Sequence, residues 1–333
     1  MSEITILAID LAKHVFQLHG CDAQGRTVLQ RQVRRAQLPV VLAKLPRCTV
    51  VMEACGSAHY WARQACAAGH QARLIGPRYV KALSRGQKND RNDAEAIACA
   101  ARQPQIPRVA IKSEEQQAVL ALHRIREQLL KQRVALTNQL HGLLLEFGLV
   151  LPRRVAPLRA RLTALLDEQR VPPLLQAALR EQLKHLSQLE QRLCTLTQQL
   201  ELLARQSEPC QRLMRHRGVG PLTATAFAAE LADPAAFKNG RQAAAWLGLV
   251  PRQYSSGERV RLLGITKAGN SHLRRLFIHG ARSVLRYAPG KTDPLSQWLL
   301  ALQRRRGSNR AAVALANKTV RHLWATLRYA EAA

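Results

Sequence analysis

The chain has 333 residues, 47% of them apolar and only 4% aromatic: enough for two or three domains with their own cores, and too few aromatics for single-strand binding by base stacking. Its 51 Lys+Arg against 22 Asp+Glu give a net charge of +29. A balance that one-sided suits a polyanion, nucleic acid ahead of an acidic membrane, because no long apolar span or basic amphipathic anchor stands out.

In chain order, Thr5–Asp10 is a nearly continuous apolar run ending in an acid and reads as a buried strand. It shows neither the n-region nor the cleavage site of a signal peptide, so a cytoplasmic, nucleoid-associated protein is expected. His14–Gly20 alternates, and an Asp22–Gly25 turn leads to a third strand at Thr27–Val33. A helix is expected over Leu38–Leu45, a fourth strand over Cys48–Glu53, a helix over Ala58–Ala68 and a fifth strand over Gln71–Ile75. An alanine-rich helix follows Lys88-Asn89-Asp90-Arg91-Asn92-Asp93 and closes the domain near Arg102. Seven cysteines without a C-x-x-C pair read as reduced, buried thiols.

This β-β-β-α-β-α-β-α order is the ribonuclease H-like, or RuvC-like, arrangement. Strands one and four are neighbours in such a sheet, so Asp10 and Glu53 are expected to meet. Asp90 and Asp93, three apart on one helix face, are expected over the same edge. As plain local chemistry Asp90 is an N-cap and Asp93 a macrodipole partner. Four carboxylates without basic partners repel, and their gathering makes sense if Mg²⁺ or Mn²⁺ neutralises them. Two such ions suit phosphodiester chemistry.

The middle carries leucine stripes at helical spacing. One is Leu122, Ile125, Leu129, Leu136, Leu140, Leu143 and Phe147; the other runs from Leu183 to Leu203. With Gly148, Pro152, Pro157, Pro172 and Pro173 as breakers, two long helices are expected to form a coiled-coil arm, a spacer or dimerisation element. From Gln211 the composition turns basic: residues 205–333 carry 22 Lys+Arg and 6 Asp+Glu. Arg217-Gly218-Val219-Gly220-Pro221 has the form of a helix-hairpin-helix turn, able to offer N–H groups to a phosphate. A short helix ending at Gly248 is followed by a polar loop, Arg252–Arg259, then Lys267-Ala268-Gly269-Asn270 and basic helices. Taken alone, Ser255-Ser256-Gly257 is ordinary turn chemistry. The expected division is 1–110, 111–205 and 206–333: α/β, then a helical arm, then a mainly helical domain.

Several stretches together resemble the insertion-sequence family 110 transposases, the 1111 subgroup especially, also called DEDD transposases or bridge-RNA-guided recombinases. They are Ala8–Lys13, Met52–Gly56, Lys88–Ala94, Gly218–Gly220, Gly248–Arg252 and Lys267–Asn270 with Leu273-Arg274-Arg275. The resemblance implies a RuvC-like domain, a coiled-coil arm and a transposase domain with an essential serine. Asp10, Glu53, Asp90 and Asp93 match the acidic quartet, which implies Mg²⁺ or Mn²⁺. Ser256 matches the nucleophile; Ser255 adjoins it, and Ser256 is favoured because it directly precedes the loop glycine. A phosphoserine intermediate, a non-coding bridge RNA pairing with donor and target double-stranded DNA, and a homodimer assembling to a tetramer are further implied. Gly218, Gly220, Arg252, Arg259, Arg261, Lys267, Arg274 and Arg275 are the expected nucleic-acid contacts. A RuvC-like Holliday-junction resolvase using water, and a non-catalytic nucleic-acid-binding protein, are the rival readings.

Overall fold

A computed structural model describes residues 3–84, 89–257 and 259–329; Lys88, and Glu258 within the Arg252–Arg259 loop, lie outside them. The chain divides into two compact units, residues 1–114 with 231–238, and 115–230 with 239–333.

The first unit is built on strands β1 (Ile6–Asp10), β2 (Val15–Cys21), β3 (Thr27–Arg34), β4 (Thr49–Glu53), β5 (Gln71–Ile75) and β6 (Arg108–Val109). They form one sheet in the order β3-β2-β1-β4-β5-β6. β1 and β4 are parallel neighbours, in register from Ile6 opposite Thr49 to Ile9 opposite Met52. β2 pairs antiparallel with β1, whereas β5 runs parallel to β4. The chain therefore leaves β1 and β4 in opposite directions, which opens a crevice beyond their carboxyl ends.

Successive strand residues face opposite sides of a sheet, and this unit has two distinct cores. Leu7, Ile9, Val50 and Met52 pack on one face with Leu38 and Leu42 of α1 (Leu38–Lys44) and Trp61 and Ala65 of α2 (Ala58–Ala67). Ala8 and Val51 pack on the other with Val80 of α3 (Pro77–Leu83) and Ile97 and Ala100 of α4 (Asp90–Ala101). Small residues on α4 let it lie close along β1 and β2. Two elements went unread in the sequence. Helix α3 starts on Pro77, whose missing N–H costs nothing at a first helical position. Edge strand β6 is too short to show a pattern.

The second unit is helical apart from one hairpin. Long helices α5 (Glu114–Leu145) and α7 (Pro173–Gln206) are separated by α6 (Val155–Asp167), a helix where only breakers were expected. Pro157 is the third residue of α6, where its missing N–H would lack an intrahelical partner anyway. The apolar seam also differs from the expected stripe. Leu136, Leu140 and Leu144 are buried with Leu158, Leu162 and Leu189, while Ile125, Leu143 and Phe147 are exposed. With two leucine rows in α5, α6 selects the 136–140–144 row.

Then come α8 (Glu208–Met214), α9 (Pro221–Leu231), α10 (Gly240–Trp246), β7 (Pro251–Gln253), β8 (Leu262–Ile265), α11 (Ser271–Arg286), α12 (Pro294–Arg306) and α13 (Ser308–Arg328). Helix α13 is central, with α10, α11 and α12 packed on it. The region read as a polar loop is a β-hairpin. The cysteines also depart from expectation: Cys21, Cys48 and Cys210 are buried, but Cys66, Cys99 and Cys194 are exposed on their helices. Among the described residues no helix is long and apolar enough to cross a membrane.

Candidate active site

Asp10 and Glu53 are the last residues of β1 and β4, one step beyond the Ile9–Met52 pair. Period-two alternation puts Asp10 on the face of Ala8 and Glu53 on the face of Val51, the side covered by α4. The first turn of α4 carries Asp90 and Asp93. Its N-cap is Asn89, one residue before the Asp90 cap expected locally; the Asn89 side chain accepts from the Asn92 N–H at 2.8 Å. That leaves the Asp90 and Asp93 carboxylates free of the capping role.

The electrostatics tie the four acids together. Burial, then repulsion from Asp93, Asp90 and Glu53, pushes Asp10 up to about 6, opposed by the Leu11 N–H. Burial, then Asp93, raises Glu53. The neighbouring Cys55 thiol is raised by burial and by Glu53 and Asp10. Among the described residues no three His, Cys, Asp or Glu side chains already stand within reach of one ion. The four acids thus share a field, with Asp93, Asp90 and Glu53 all acting on Asp10. An all-oxygen, mutually repelling donor set fits a hard divalent cation. Beside it, Ser57 holds a left-handed backbone at φ 67°, a conformation unfavourable for any side-chain-bearing residue. Nothing in the sequence marks that position.

The candidate serine lies in the second unit, at the tip of the β7–β8 hairpin. Arg259 N–H donates to the Ser256 carbonyl at 3.2 Å and Tyr254 N–H to the Arg261 carbonyl at 2.9 Å, closing a tight turn around Gly257. The two serines differ in what holds them. Ser255 Oγ accepts from Gln253 Nε2 and from the Arg261 N–H, both at 3.1 Å. Among the described residues Ser256 Oγ makes no hydrogen bond, and Ser256 is exposed. One hydroxyl braces the hairpin; the other is presented to solvent. Arg252, Arg259, Arg261 and Lys267 are all exposed on or beside this ribbon.

Two interlocked loops anchor the ribbon. Gly248 (φ 69°) and Gly269 (φ 70°) lie so close to opposing backbone that an added Cβ would stand 2.3 Å from Ala268 N and 2.1 Å from Trp246 O. Only glycine combines that φ with that approach. Arg274 ties the loops from within: its Nη1 donates to the carbonyls of Leu247 (3.0 Å) and Ala268 (2.7 Å). Arg275 bonds Glu127, which also faces His272 Nδ1 at 3.2 Å. Gly218 meets helix α11, where a Cβ would stand 2.8 Å from the Gly280 carbonyl. Around Gly220 an added Cβ would meet nothing within 4 Å. Sequence reasoning missed Gly280 as the partner of Gly218; a glycine inside a helical pattern was the available signal.

A family model described as "Transposase IS116/IS110/IS902 family" matches residues 210–294, and another described as "Transposase" matches residues 7–148. A "Probable family 20 transposase" of Pseudomonas aeruginosa is 48% identical over 327 residues, covering 96% of each chain. The transposase for insertion sequence element IS1111A of Coxiella burnetii is 44% identical, covering 98% of this chain and 90% of its own. The transposase for IS1328 of Yersinia enterocolitica is 38% identical over 97% of both.

Proposed function

Because the chain belongs to the IS116/IS110/IS902 family of insertion-sequence transposases, DNA-recombining enzymes, we propose that it cleaves and rejoins DNA through a covalent bond to Ser256. The observation that carries this reading is the unequal pair of hydroxyls, Ser255 spent on the hairpin and Ser256 presented among cationic side chains. In the proposed step Ser256 Oγ attacks a DNA phosphorus. An Oγ–P bond forms, one P–O bond to a sugar breaks, and the departing sugar oxygen gains the proton that the serine gives up. The ester energy is kept in the phosphoserine link, so a second sugar hydroxyl reverses the step on a new strand and releases the serine.

The N-terminal unit takes the RNase H-like, RuvC-like role in this reading, supported by its strand order and its acids. Asp10, Glu53, Asp90 and Asp93 would hold Mg²⁺ or Mn²⁺, which when bound supplies charge neutralisation at the phosphate and activation of a hydroxyl. Arg252, Arg259, Arg261 and Lys267 are assigned to DNA phosphates. Arg274, whose Nη1 ties the loops that carry the ribbon, and Arg275, bonded to Glu127, are assigned to nucleic acid through their remaining N–H groups. The Gly218–Gly220 turn is assigned a backbone phosphate in a helix-hairpin-helix manner. A bridge RNA that chooses donor and target by base pairing, and a dimer assembling to a tetramer, complete the proposal.

A water-using resolvase would need the acids and not the serine. Excision of the cognate element in cells separates the two. Asp10→Asn and Ser256→Ala should each lower excision by at least ~10³-fold. Excision that survives Ser256→Ala would overturn the serine reading.

A further inference from the structure

Within the second unit, the amino end of α10 and the last turns of α13 border a cavity of about 540 Å³ that is open to solvent. Its walls include Arg241, Arg321, His216, His322, Asn239 and Trp324, and among the described residues no carboxylate lines it. Some cations of this unit are paired: Arg217 with Asp293 at 2.8 Å and Arg212 with Glu208 at 3.5 Å. Among the described residues Arg241 and Arg321 have no ion pair, and both are exposed. Two permanently charged guanidiniums thus stand at one concavity beside two imidazoles that burial holds towards the neutral form, and their planar forks are open to an anion.

The walls are also held in place. Thr326 Oγ1 donates to the His322 carbonyl at 3.1 Å, so the 2.9 Å contact with His216 is an N–H donation from His216 Nε2. The His216 and His322 rings stand edge-on, 6.3 Å apart. Asn239 caps α10 by accepting from the Gln242 N–H at 3.1 Å. Trp324, 5% exposed and edge-on to Tyr329, gives the wall an apolar edge.

We propose that this cavity is a nucleotide-phosphate site, taking the phosphate between Arg241 and Arg321 with the base or sugar against Trp324. The space is ample for one nucleotide, and guanidinium forks match phosphate oxygens. The same chemistry is offered by a phosphodiester within a strand and by a free nucleotide. The site is separate from Ser256, and its readout is binding, so its failure is distinct from failure of the recombinase reading.

The test is fluorescence anisotropy of a short labelled single strand on the full chain, across a salt series. Arg241→Gln with Arg321→Gln should weaken binding by at least ~10-fold and reduce the salt slope by about 1.4, two contacts on a single strand. A control pair, Arg161→Gln with Lys184→Gln, removes the same charge from residues that already face Glu168 and Glu181 and should change affinity less than about 2-fold. Displacement by thymidine monophosphate would identify a free nucleotide as the occupant; displacement by unlabelled strand alone would identify a phosphodiester. Equal losses in both pairs, or none in the first, overturns the site. Photo-crosslinking of a bromouridine strand to wild-type protein guards against misfolded variants: crosslinks should map to the Arg321–Thr326 peptide, and their absence there counts against the site.

Discussion

Asp10 shows how a candidate catalytic side chain can be recognised by what it costs. Its carboxyl is pushed up to about 6 from an ordinary 3.8, so the fold disfavours its charge. The sign follows directly: the penalty is absent below about pH 4, grows between pH 4 and 6, and is complete at neutral pH. Asp10→Asn should therefore stabilise the metal-free protein at pH 7 by on the order of 1 kcal/mol, solvent screening of a half-exposed carboxylate allowed for. Thermal melts in chelator should show a Tm gain at pH 7 that vanishes near pH 4. An unchanged or lower Tm at pH 7 would mean that neither burial nor the neighbouring acids disfavour the Asp10 charge.

At the same scale, the sequence shows the acids but not their partners. Asp10 and Glu53 could be read because each ends an apolar run, and alternation then fixes their face. Ser255 and Ser256 could not be separated by pattern alone. What separates them is a bond from the Arg261 N–H, brought back by the hairpin. Arg274 likewise showed its charge but not the Leu247 carbonyl, 27 residues earlier, that its Nη1 bonds.

Among elements, the glycine-locked loops and the arm make opposite kinds of demand. Gly248→Ala must strain φ and push backbone at 2.3 Å, and should cost at least ~3 kcal/mol and loosen the hairpin. Gly257→Ala, also at positive φ but with nothing within 4 Å, should cost only about 1–2 kcal/mol. Equal losses in denaturant unfolding would show the interlock to be unimportant. In the arm, Leu140→Ala should cost about 2–5 kcal/mol, while Leu143→Ala should stay within about 0.5 kcal/mol. Both leucines sat in the one stripe expected from sequence. Helical spacing alone cannot choose between rows one residue apart; α6 chooses, and it was hidden behind residues that read as breakers.

For the whole molecule, charge and chemistry are divided between two units. The acids lie in one and the candidate serine in the other, so the proposed reaction needs both. The basic excess of residues 205–333 surrounds the serine hairpin and lines the α10–α13 cavity, consistent with a protein that grips backbone phosphates and leaves sequence choice to base pairing. Broad architecture was legible because strand and helix periodicities are local; the hairpin was not, because its strands are short and their residues exposed.

The most direct measurement is covalent trapping. Purified protein is incubated with its element's RNA, donor and target DNA in Mg²⁺, denatured, and examined for a protein–DNA adduct. The account predicts an adduct that is lost in Ser256→Ala and kept, at reduced yield, in Ser255→Ala, whose loss only loosens the hairpin. Cleaved DNA with no adduct, indifferent to both changes, would contradict it and point to water as the nucleophile.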